Sequence, residues 1–205
     1  MCNRKIEISY SSYCFSKRKR FIDIVLATNL LLVVVLFIPI VWLTNKLSSN
    51  QKMFFLQSRI GLQQEEFVAI KFLSMWHVGE SEKSDSYVEY RFTMLGKFLR
   101  MCHIDEFPQA INVLKGEMSV VGPRPYIETE CKKLSSELNG FENRHVIKPG
   151  ITGLAQVYYD HSNDPSESGM NKLSKDLQYV KESSMGLDIK ILFKTVGDIL
   201  LRRGM

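Results

Sequence analysis

A twenty-residue apolar run near the N-terminus, Ile24 to Leu43, limits what this chain can fold into more than any other feature. Only Thr28, Asn29 and Pro39 interrupt it. A straight helix of this length reaches about 30 Å, which is enough to cross a bilayer. The run is too long for the apolar part of a cleaved signal peptide and lacks a small-residue exit site. We therefore expect it to be retained and to enter a membrane.

The charges on both sides of this run bear on its topology. The basic residues 17–20 precede it, and Lys46, Lys52 and Arg59 follow it. Because both flanks are basic, the preference of positive residues for the cytoplasmic side does not select one orientation. A segment that turns back at Pro39 and leaves the membrane on the side where it entered satisfies both flanks. The sequence leaves open whether Pro39 causes such a turn or only a kink.

Length and charge narrow the class of protein. At 205 residues the chain is expected to form one domain with a sizeable core. The net charge of +5 is concentrated in basic clusters before the apolar run and at Arg202–Arg203, which suits anionic lipid headgroups. No motif interleaves basic and aromatic residues, so we expect no nucleic-acid partner. The four cysteines have no paired or metal-ligand spacing, which indicates free thiols.

An acidic pair, Asp105 and Glu106, is the first candidate for chemistry. Apolar residues at helical spacing follow the pair, and Gly116 follows them, so the pattern predicts a short helix with Asp105 as N-cap and Pro108 in the first turn. The positive end of such a helix would keep the aspartate ionised. Two carboxylates at a cap can converge on one Mg²⁺ or one phosphate. A capping Asp followed by a favourable Glu, with no catalytic role, fits the same residues.

An arginine held between two prolines, Pro123-Arg124-Pro125, is the second candidate. Each proline fixes its own φ and restricts the residue before it, so Arg124 is predicted to lie on a stiff loop. A guanidinium held in this way can bind a phosphate through two parallel hydrogen bonds. The alternative is a surface turn with a solvated arginine. Carboxylates together with a rigid cation favour phosphoryl-transfer chemistry.

These two motifs resemble, in this order, those of the bacterial sugar transferase family, the monotopic polyprenol-phosphate phosphoglycosyl transferases. The resemblance covers about residues 17–203. Further matching segments are Lys19-Arg-x-x-Asp23, Gln57-Ser-Arg-x-Gly61, Lys71-Phe-x-Ser-Met75, Gly96-Lys-x-x-Arg100, Lys148-Pro-Gly-Ile-Thr-Gly153, Ala155-Gln156 and Asp176-x-x-Tyr179. The chain departs from the family at Ile38, where a serine usually precedes the proline, and after Gln156. Neither departure touches the acidic pair or the arginine loop.

The resemblance implies an enzyme that moves a sugar 1-phosphate from a UDP-sugar to a polyprenol phosphate, usually undecaprenyl phosphate, and releases UMP. This is the first membrane step of a surface glycan. It implies Asp105 as the nucleophile of a covalent phosphosugar intermediate and Glu106 as a metal ligand or base, with both carboxylates on Mg²⁺. The implied phosphate- and nucleotide-binding residues are Lys71, Arg100, Arg124, Lys148 and Gln156.

Two other functions remain as alternatives at this point. One is a catalytically silent membrane scaffold that recruits glycan-assembly enzymes and needs no carboxylates. The other is a hydrolase that attacks membrane diphosphates with the same groups. The partners implied by the resemblance are a UDP-sugar, polyprenol phosphate and anionic membrane lipids, and a homodimer is left open. Nucleotide sugars are cytoplasmic, so the active site is expected on the cytoplasmic face of a bacterial inner membrane.

The expected fold is α+β and predominantly helical, in a monotopic membrane protein. We expect a basic tail over residues 1–20, a re-entrant helix–break–helix segment over residues 21–46 and a catalytic domain over residues 47–205. Short strands at Phe54 and Phe67 predict a β-hairpin that ends at Lys71. Residues 80–87 and 160–170 predict polar loops. An amphipathic helix over residues 187–203 is expected at the membrane interface, although packing on the core is as common for such a helix.

Several polar residues keep two interpretations. Asp23, at the edge of the apolar run, is expected either to pair with Lys19 or Arg20 or to lie solvated. Arg100 ends a predicted helix that begins near Phe92, and it either reaches the diphosphate or only complements the helix dipole. His103 and His145 are candidates for tuning Asp105 and touching nucleotide, with plain surface histidines as the default.

Overall fold

A computed structural model describes residues 9–49, 52–77, 90–93, 95–158 and 165–201. The predicted loop over residues 80–87, the basic pair Arg202–Arg203 and the first part of the predicted loop over residues 160–170 lie outside these residues. The second part of that loop is helical instead, because Pro165 begins a helix, a position where its missing N–H costs little.

The described chain is mostly helical with short strands, as expected. The helices are α1 (Lys17–Ser49), α2 (Gly96–Met101), α3 (Ala110–Lys115), α4 (Glu128–Glu137), α5 (Leu154–Val157), α6 (Pro165–Glu182) and α7 (Met185–Leu200). The strands are β1 (Phe54–Ile60), β2 (Glu66–Phe72), β3 (Met75–His77), β4 (Tyr90–Phe92), β5 (Ser119–Val121) and β6 (Gly150–Thr152). The predicted hairpin is confirmed: β1 and β2 pair antiparallel, with Phe54 opposite Phe72.

Two further pairings position the candidate residues. β3 pairs antiparallel with β4, and β5 pairs parallel with β6. β5 leads directly into the Pro-Arg-Pro loop, and β6 lies directly before α5. The main core, around Ala110, Val113, Met118 and Val121, therefore holds both segments against α1, α6 and α7.

The apolar run lies in α1, which continues as one 33-residue helix through Pro39. The predicted break at Pro39 is therefore not observed. Ala27, Val34 and Val41 are at most 3% exposed. Because they are seven residues apart, they lie on one face of the helix, and this face packs against the fold along its whole length. Of the described helices, α1 is long and apolar enough over Lys17–Leu47 to cross a membrane, judged by length and composition.

Polar contacts fix the N-terminal part of α1 to the fold. Lys19 Nζ lies 2.8 Å from Asp188 Oδ2 of α7 and 3.3 Å from Asp23 Oδ1. These three residues, which we call the α1 cluster, are each at most 3% exposed. The predicted pairing of Asp23 with Lys19 is confirmed. Arg20 instead donates to the carbonyls of Val113 and Leu114 at the end of α3.

Hydrogen bonds satisfy the carboxylates of the α1 cluster. Ser119 Oγ and Val120 N donate to Asp23 at 2.9 to 3.0 Å. The hydroxyls of Tyr179 and Tyr13 donate to Asp188 at 2.6 and 3.1 Å. Buried charges are tolerated when they are paired and hydrogen-bonded in this way. The cluster therefore ties the start of α1 to β5, α6 and α7.

The last helix, α7, packs on the core and also exposes apolar residues. Ile191 is fully buried, and Leu187 and Leu192 pack against the core. On another face, Phe193 and Leu200 are each 76% exposed. The amphipathic helix is thus present, with bounds Met185–Leu200 in place of 187–203. Packing on the core accounts for one apolar face and leaves the other uncovered.

Candidate active site

The acidic pair lies in a 3-10 helix, Ile104–Gln109, that leads into α3. The prediction of Asp105 as an N-cap is wrong, because His103 occupies the cap with a left-handed backbone, φ 55°. Successive residues of a 3-10 helix are rotated by about 120°, so the two carboxylates leave the helix in different directions. Glu106 is 8% exposed, whereas Asp105 is only half-buried. The predicted stop at Gly116 is confirmed, with φ 89°.

Two cations from distant segments meet at Glu106. Lys71 Nζ, at the end of β2, lies 2.5 Å from Glu106 Oε1, and Arg124 Nη2 lies 3.1 Å from the same oxygen. We call these three residues the Glu106 cluster. Burial opposes ionisation of Glu106, but the charges and hydrogen bonds of Arg124 and Lys71 outweigh it and lower the pKa of this carboxyl to about 2. Glu106 is therefore a fixed anion that holds two cations at one point.

Asp105 is placed differently from its neighbour. Burial, and then the negative charge of Glu106, raise the pKa of Asp105, against the opposing charges of Lys71, Arg100 and His103. A helix end was expected to favour ionisation of Asp105, but the 3-10 helix is short and the effect of burial on the pKa is larger. Within the residues that the structure describes, no hydrogen bond or ion pair occupies the Asp105 carboxylate. It is thus a half-buried acid with free oxygens beside a positively charged cluster.

Hydrogen bonds from the rest of the fold hold the Pro-Arg-Pro loop. Four consecutive carbonyl oxygens accept them: those of Pro123 from Gly150 N (2.9 Å), Arg124 from Arg144 Nη2 (2.6 Å), Pro125 from Arg59 Nη1 (3.0 Å) and Tyr126 from Ile60 N (2.9 Å). The predicted stiffness of the loop therefore has a second source besides its prolines. The guanidinium of Arg124 points at Glu106 because its backbone is fixed from four directions.

Arg144 is a buried residue that supports the arginine loop and was not among the sequence-predicted site residues. It is 2% exposed, and its Nε and Nη2 lie 2.9 and 2.7 Å from Asp176 Oδ2. Its guanidinium carbon lies 4.6 Å from the ring centroid of Tyr126 and 5.2 Å from that of Phe141. The signal available in the sequence was Asp176, a motif residue without an assigned role. Arg144 thus links α6, through Asp176, to the arginine loop, through the carbonyl oxygen of Arg124.

A cavity of about 500 Å³ opens beside Glu106 and Arg124. Residues of α5, α6 and α7 form its other walls, including Gln156, Thr195 and Asp198. This volume lies in the range of small-molecule sites, roughly 300–1,000 Å³. A small recess on the other side of Arg124 is lined by Arg59 and Lys71 among others. The positive charge of the site thus stands between a roomy cavity and a narrow recess.

Gln156 faces this cavity with an unused acceptor. Its Nε2 donates to Ile151 O at 3.1 Å, which fixes the amide, while its Oε1 is buried and has no hydrogen-bond partner within the described chain. Leaving such a group unpaired costs about 1–3 kcal/mol. A ligand that brings a hydrogen-bond donor to this wall would remove that cost.

The structure separates Arg100 and Lys148 from the Glu106 cluster. Arg100, at the end of α2, lies 2.9 Å from Met75 Sδ and close to the ring of Phe92, and its charge still acts on Asp105. Phe92 itself belongs to β4, so the predicted helix is shorter. Lys148 lies beside Arg20 at the far end of α3 and lines neither cavity described above. The structure therefore does not bring Lys148 together with Lys71 and Arg124, the phosphate-binding candidates at Glu106.

The two histidines have different surroundings. His103 lines the large cavity. His145 is buried, lies 3.2 Å from Gly61 O through Nδ1, and has a pKa lowered to about 4 by burial and by the charge of Arg144. It is therefore a neutral packing residue near Phe141 rather than part of either cavity wall.

The carboxylates of the site can be compared with the coordination that a Mg²⁺ ion requires. Among the residues that can be described, no group of three or more His, Cys, Asp or Glu could hold a metal ion. Glu106 Oε1 is taken by two cations, whereas Glu106 Oε2 and both oxygens of Asp105 have no hydrogen bond or ion pair within the described chain. Mg²⁺ usually takes one or two carboxylates and completes its coordination with water and substrate phosphates. The oxygens of Asp105 and Glu106 Oε2 are therefore the described carboxylate atoms that could hold a Mg²⁺ ion bound to a diphosphate.

Comparisons with known proteins show which family and relatives the chain resembles. The family described as bacterial sugar transferase matches residues 14–202. The chain is 37% identical over 187 residues to a UDP-N-acetylgalactosamine-undecaprenyl-phosphate N-acetylgalactosaminephosphotransferase of Aeromonas hydrophila, covering 89% of this chain and 43% of the relative. It is 40% identical over 182 residues to a UDP-glucose:undecaprenyl-phosphate glucose-1-phosphate transferase of Escherichia coli (strain K12), covering 87% and 39%.

A third relative is closer to this chain in length. The uncharacterized sugar transferase EpsL of Bacillus subtilis (strain 168) is 36% identical over 187 residues, covering 91% of this chain and 89% of the relative. The chain therefore spans about two fifths of the length of the first two relatives and most of the third.

Proposed function

The chain belongs to the bacterial sugar transferase family, and we propose that it transfers a sugar 1-phosphate from a UDP-sugar to undecaprenyl phosphate, with release of UMP. Relatives named for this activity, with UDP-N-acetylgalactosamine or UDP-glucose as donor, support the reaction class. One observation carries the proposal for this chain. The unpaired Asp105 carboxylate belongs to the residue next to Glu106, and Glu106 and Arg124 of the Lys71–Glu106–Arg124 cluster line a cavity large enough for a nucleotide sugar.

The proposed reaction has two displacements at one phosphorus. Asp105 attacks the β-phosphorus of the UDP-sugar, an aspartyl–phosphorus bond forms, and the bond from that phosphorus to the bridging oxygen breaks. UMP leaves with the bridging oxygen and its electron pair. A phosphate oxygen of undecaprenyl phosphate then attacks the same phosphorus and displaces Asp105 as a carboxylate. Covalent catalysis of this kind replaces one difficult step by two easier ones.

The Glu106 cluster would supply the electrostatic part of catalysis. Lys71 and Arg124 carry positive charge to the point where the transferring phosphoryl group gains negative charge. Glu106 fixes both cations, and with a pKa of about 2 it is a poor general base near neutral pH. We therefore assign it a positioning role. Mg²⁺, when bound, would neutralise diphosphate oxygens from the side of Asp105.

Gln156 would bind the nucleotide sugar. Its fixed amide and unpaired Oε1 suit a donor such as a uracil N–H or a sugar hydroxyl. Gln156 lines the same cavity as Glu106 and Arg124, so one ligand can reach all three. This geometry supports the nucleotide-binding role that the family resemblance implied.

The protein would attach to one face of the membrane without crossing it. The α1 cluster ties Lys19 and Asp23 to the fold, and near the other end Asn45 Nδ2 donates to the carbonyls of Lys52 and Leu73, each at 3.3 Å. Asp23 and Asn45 are about 33 Å apart along a helix, roughly the thickness of the hydrocarbon core. A full crossing would place these two ends on opposite sides, although one compact fold binds both.

The outward surface of α1 supports membrane attachment. Phe21, Leu32, Leu36 and Leu47 are each between 63% and 71% exposed. Such a surface is unfavourable in water and suits the lipid of one leaflet, with the fold on the cytoplasmic side of the bacterial inner membrane, where UDP-sugars occur. Protease or alkylation access to both ends of α1 from one side of sealed vesicles would test this topology. Access from opposite sides would refute it.

Two measurements test the reaction. Protein mixed with UDP-sugar and no lipid acceptor should carry a phosphosugar adduct on the peptide that contains Asp105, detected by mass spectrometry. An adduct on another residue would refute the nucleophile assignment. UMP release should depend on polyprenol phosphate. Release without lipid would indicate a hydrolase, and no release from any of a panel of UDP-sugars would indicate a scaffold. The same panel identifies the sugar.

A further inference from the structure

A pair of cations lies at the end of α3 that is remote from Asp105. Lys148 Nζ lies 3.6 Å, and Arg20 Nη2 lies 3.9 Å, from the point where a Cβ on Gly116 would stand. Gly116 has φ 89°, a conformation that residues with side chains rarely adopt. The missing side chain leaves a space that both cations border.

Among the described residues, no carboxylate forms an ion pair with either cation. Lys148 is half-buried and makes no hydrogen bond or ion pair within the part of the chain that the structure describes. The negative charge that reaches it is that of Asp23. That carboxylate already accepts hydrogen bonds from Ser119 and Val120 and pairs with Lys19. Arg20 and Lys148 therefore form a cation pair that has no acidic partner of its own among the described residues.

Only one of the two cations binds the C-terminal carbonyls of α3. Arg20 donates to two terminal carbonyls of the helix at 2.6 and 2.8 Å, as expected for a basic residue at a helix C-terminus. Lys148 makes no such bond. Burial and the charge of Arg20 lower the pKa of Lys148, so its charged form is disfavoured where it stands. A bound anion would remove this penalty.

The position of the pair indicates the source of the anion. Arg20 lies in α1 directly before Phe21, which is 68% exposed, and Ile24 and Val25 are exposed one turn further on. The exposed Lys17 and Lys115 add positive charge nearby. The cations thus stand where the apolar surface of α1 meets the polar fold, which is the level of lipid phosphates when that surface lies in a leaflet.

We infer that Arg20 and Lys148 bind the phosphate of an anionic membrane lipid in the space beside Gly116, with the lipid chains along the exposed face of α1. This inference rests on the proposed membrane attachment and not on the transfer chemistry. The site lies at the opposite end of α3 from Asp105, so the lipid is a structural ligand and not the acceptor that receives the sugar 1-phosphate.

A thermal-shift experiment on the full chain in detergent tests this site. Dihexanoyl-phosphatidylglycerol should raise the Tm, whereas dihexanoyl-phosphatidylcholine should not. Lys148→Gln should lose most of the phosphatidylglycerol shift, and Lys148→Arg should keep it. Lys133→Gln, which removes the same charge from a side chain 74% exposed on α4, should behave as wild type. A wild-type shift in Lys148→Gln would overturn the inference. An equal shift from inorganic phosphate at the same concentration would overturn the lipid assignment.

A second measurement needs no variant. Trace acetylation of the wild-type chain, read by mass spectrometry, should label Lys148 less when phosphatidylglycerol is present and label Lys133 equally with and without it. Unchanged labelling of Lys148 would also refute the site. Neither measurement uses a UDP-sugar, so a failure of the Asp105 adduct experiment leaves both results interpretable.

Discussion

The α1 cluster and the Glu106 cluster are built from the same residue types, yet they differ in what surrounds them. In the first, Lys19, Asp23 and Asp188 are at most 3% exposed, and four hydrogen-bond donors complete both carboxylates. In the second, Lys71 and Arg124 hold Glu106 beside a cavity of about 500 Å³. No residue of the α1 cluster lines that cavity.

This difference separates a structural cluster from a reactive one. In the α1 cluster, buried charge is matched by partners from the chain itself, so nothing is left to bind a ligand. In the Glu106 cluster, one carboxylate satisfies two cations while the neighbouring Asp105 has free oxygens. A carboxylate that stays unpaired next to a cation-binding residue at a cavity is available for a substrate. Substitutions in and around the two clusters test whether this distinction holds.

Asp105→Asn should reduce turnover by about 10⁴-fold or more, since removing a nucleophile removes the covalent route. The Tm should stay within a few degrees of wild type because Asp105 makes no hydrogen bond to the described chain. Steady-state UMP release and thermal unfolding measure the two effects. Glu128→Gln, on the exposed face of α4, is the matched control and should keep its rate. Near-wild-type turnover in Asp105→Asn would place the nucleophile elsewhere.

Asp188→Ala should act in the opposite way and destabilise the fold by about 3–5 kcal/mol, because it removes the closest partner of the buried Lys19. Denaturant unfolding measures this change. Glu137→Ala breaks an exposed pair on α4, at 4.0 Å, and should cost less than about 1 kcal/mol. Equal stability of the two variants would mean that the α1 cluster contributes no more than a surface pair.

Arg124→Lys keeps the charge of the Glu106 cluster but loses the planar fork, so turnover should fall about 10²-fold with little change in Tm. Arg18→Lys, an exposed substitution of the same kind, should leave the rate unchanged. Comparison of kcat at saturating UDP-sugar gives the result. A rate equal to wild type would mean that Arg124 does not bind the phosphate and is only a turn residue.

Gln156→Leu should raise KM for the UDP-sugar about tenfold and change kcat less, because it replaces the unpaired acceptor at the cavity wall by an apolar group. Gln156→Glu keeps an acceptor and should retain more affinity than Gln156→Leu. If the two variants bind the donor equally well, Oε1 of Gln156 does not contact it.

Acidification should inhibit the enzyme before it disrupts the Glu106 cluster. Asp105 reacts as a carboxylate and its pKa is raised, so activity falls as the pH drops through that raised value. The pKa of Glu106 is lowered to about 2 from about 4.3 in an unfolded chain, so its stabilising effect is present above about pH 4.3 and is lost towards pH 2. A pH profile of kcat/KM recorded with circular dichroism checks the order. Loss of both signals together would contradict it.

The sequence predicted the local features of the fold well. The twenty-residue run and the β1–β2 hairpin follow from hydrophobic patterning, and the stop at Gly116 follows from the need for a positive φ. Both site motifs, the acidic pair and the Pro-Arg-Pro loop, were recognisable because their members are adjacent in the chain. The cap at His103 and the continuous α1 were not predicted, since one depends on backbone conformation and the other on packing along a whole helix.

Local patterns in the sequence establish that the chain has an apolar helix, a hairpin, an acidic pair and a rigid arginine. The tertiary fold brings particular charges together: Lys19 pairs with Asp188, 169 positions away, and Arg144 with Asp176, whereas Lys148 joins Arg20 and not Glu106. It also decided that burial raises the pKa of Asp105 while two cations lower that of Glu106. Periodicity and turn chemistry act over a few residues and can be read along the chain. Ion pairing and burial depend on neighbours in space, which no local spacing encodes.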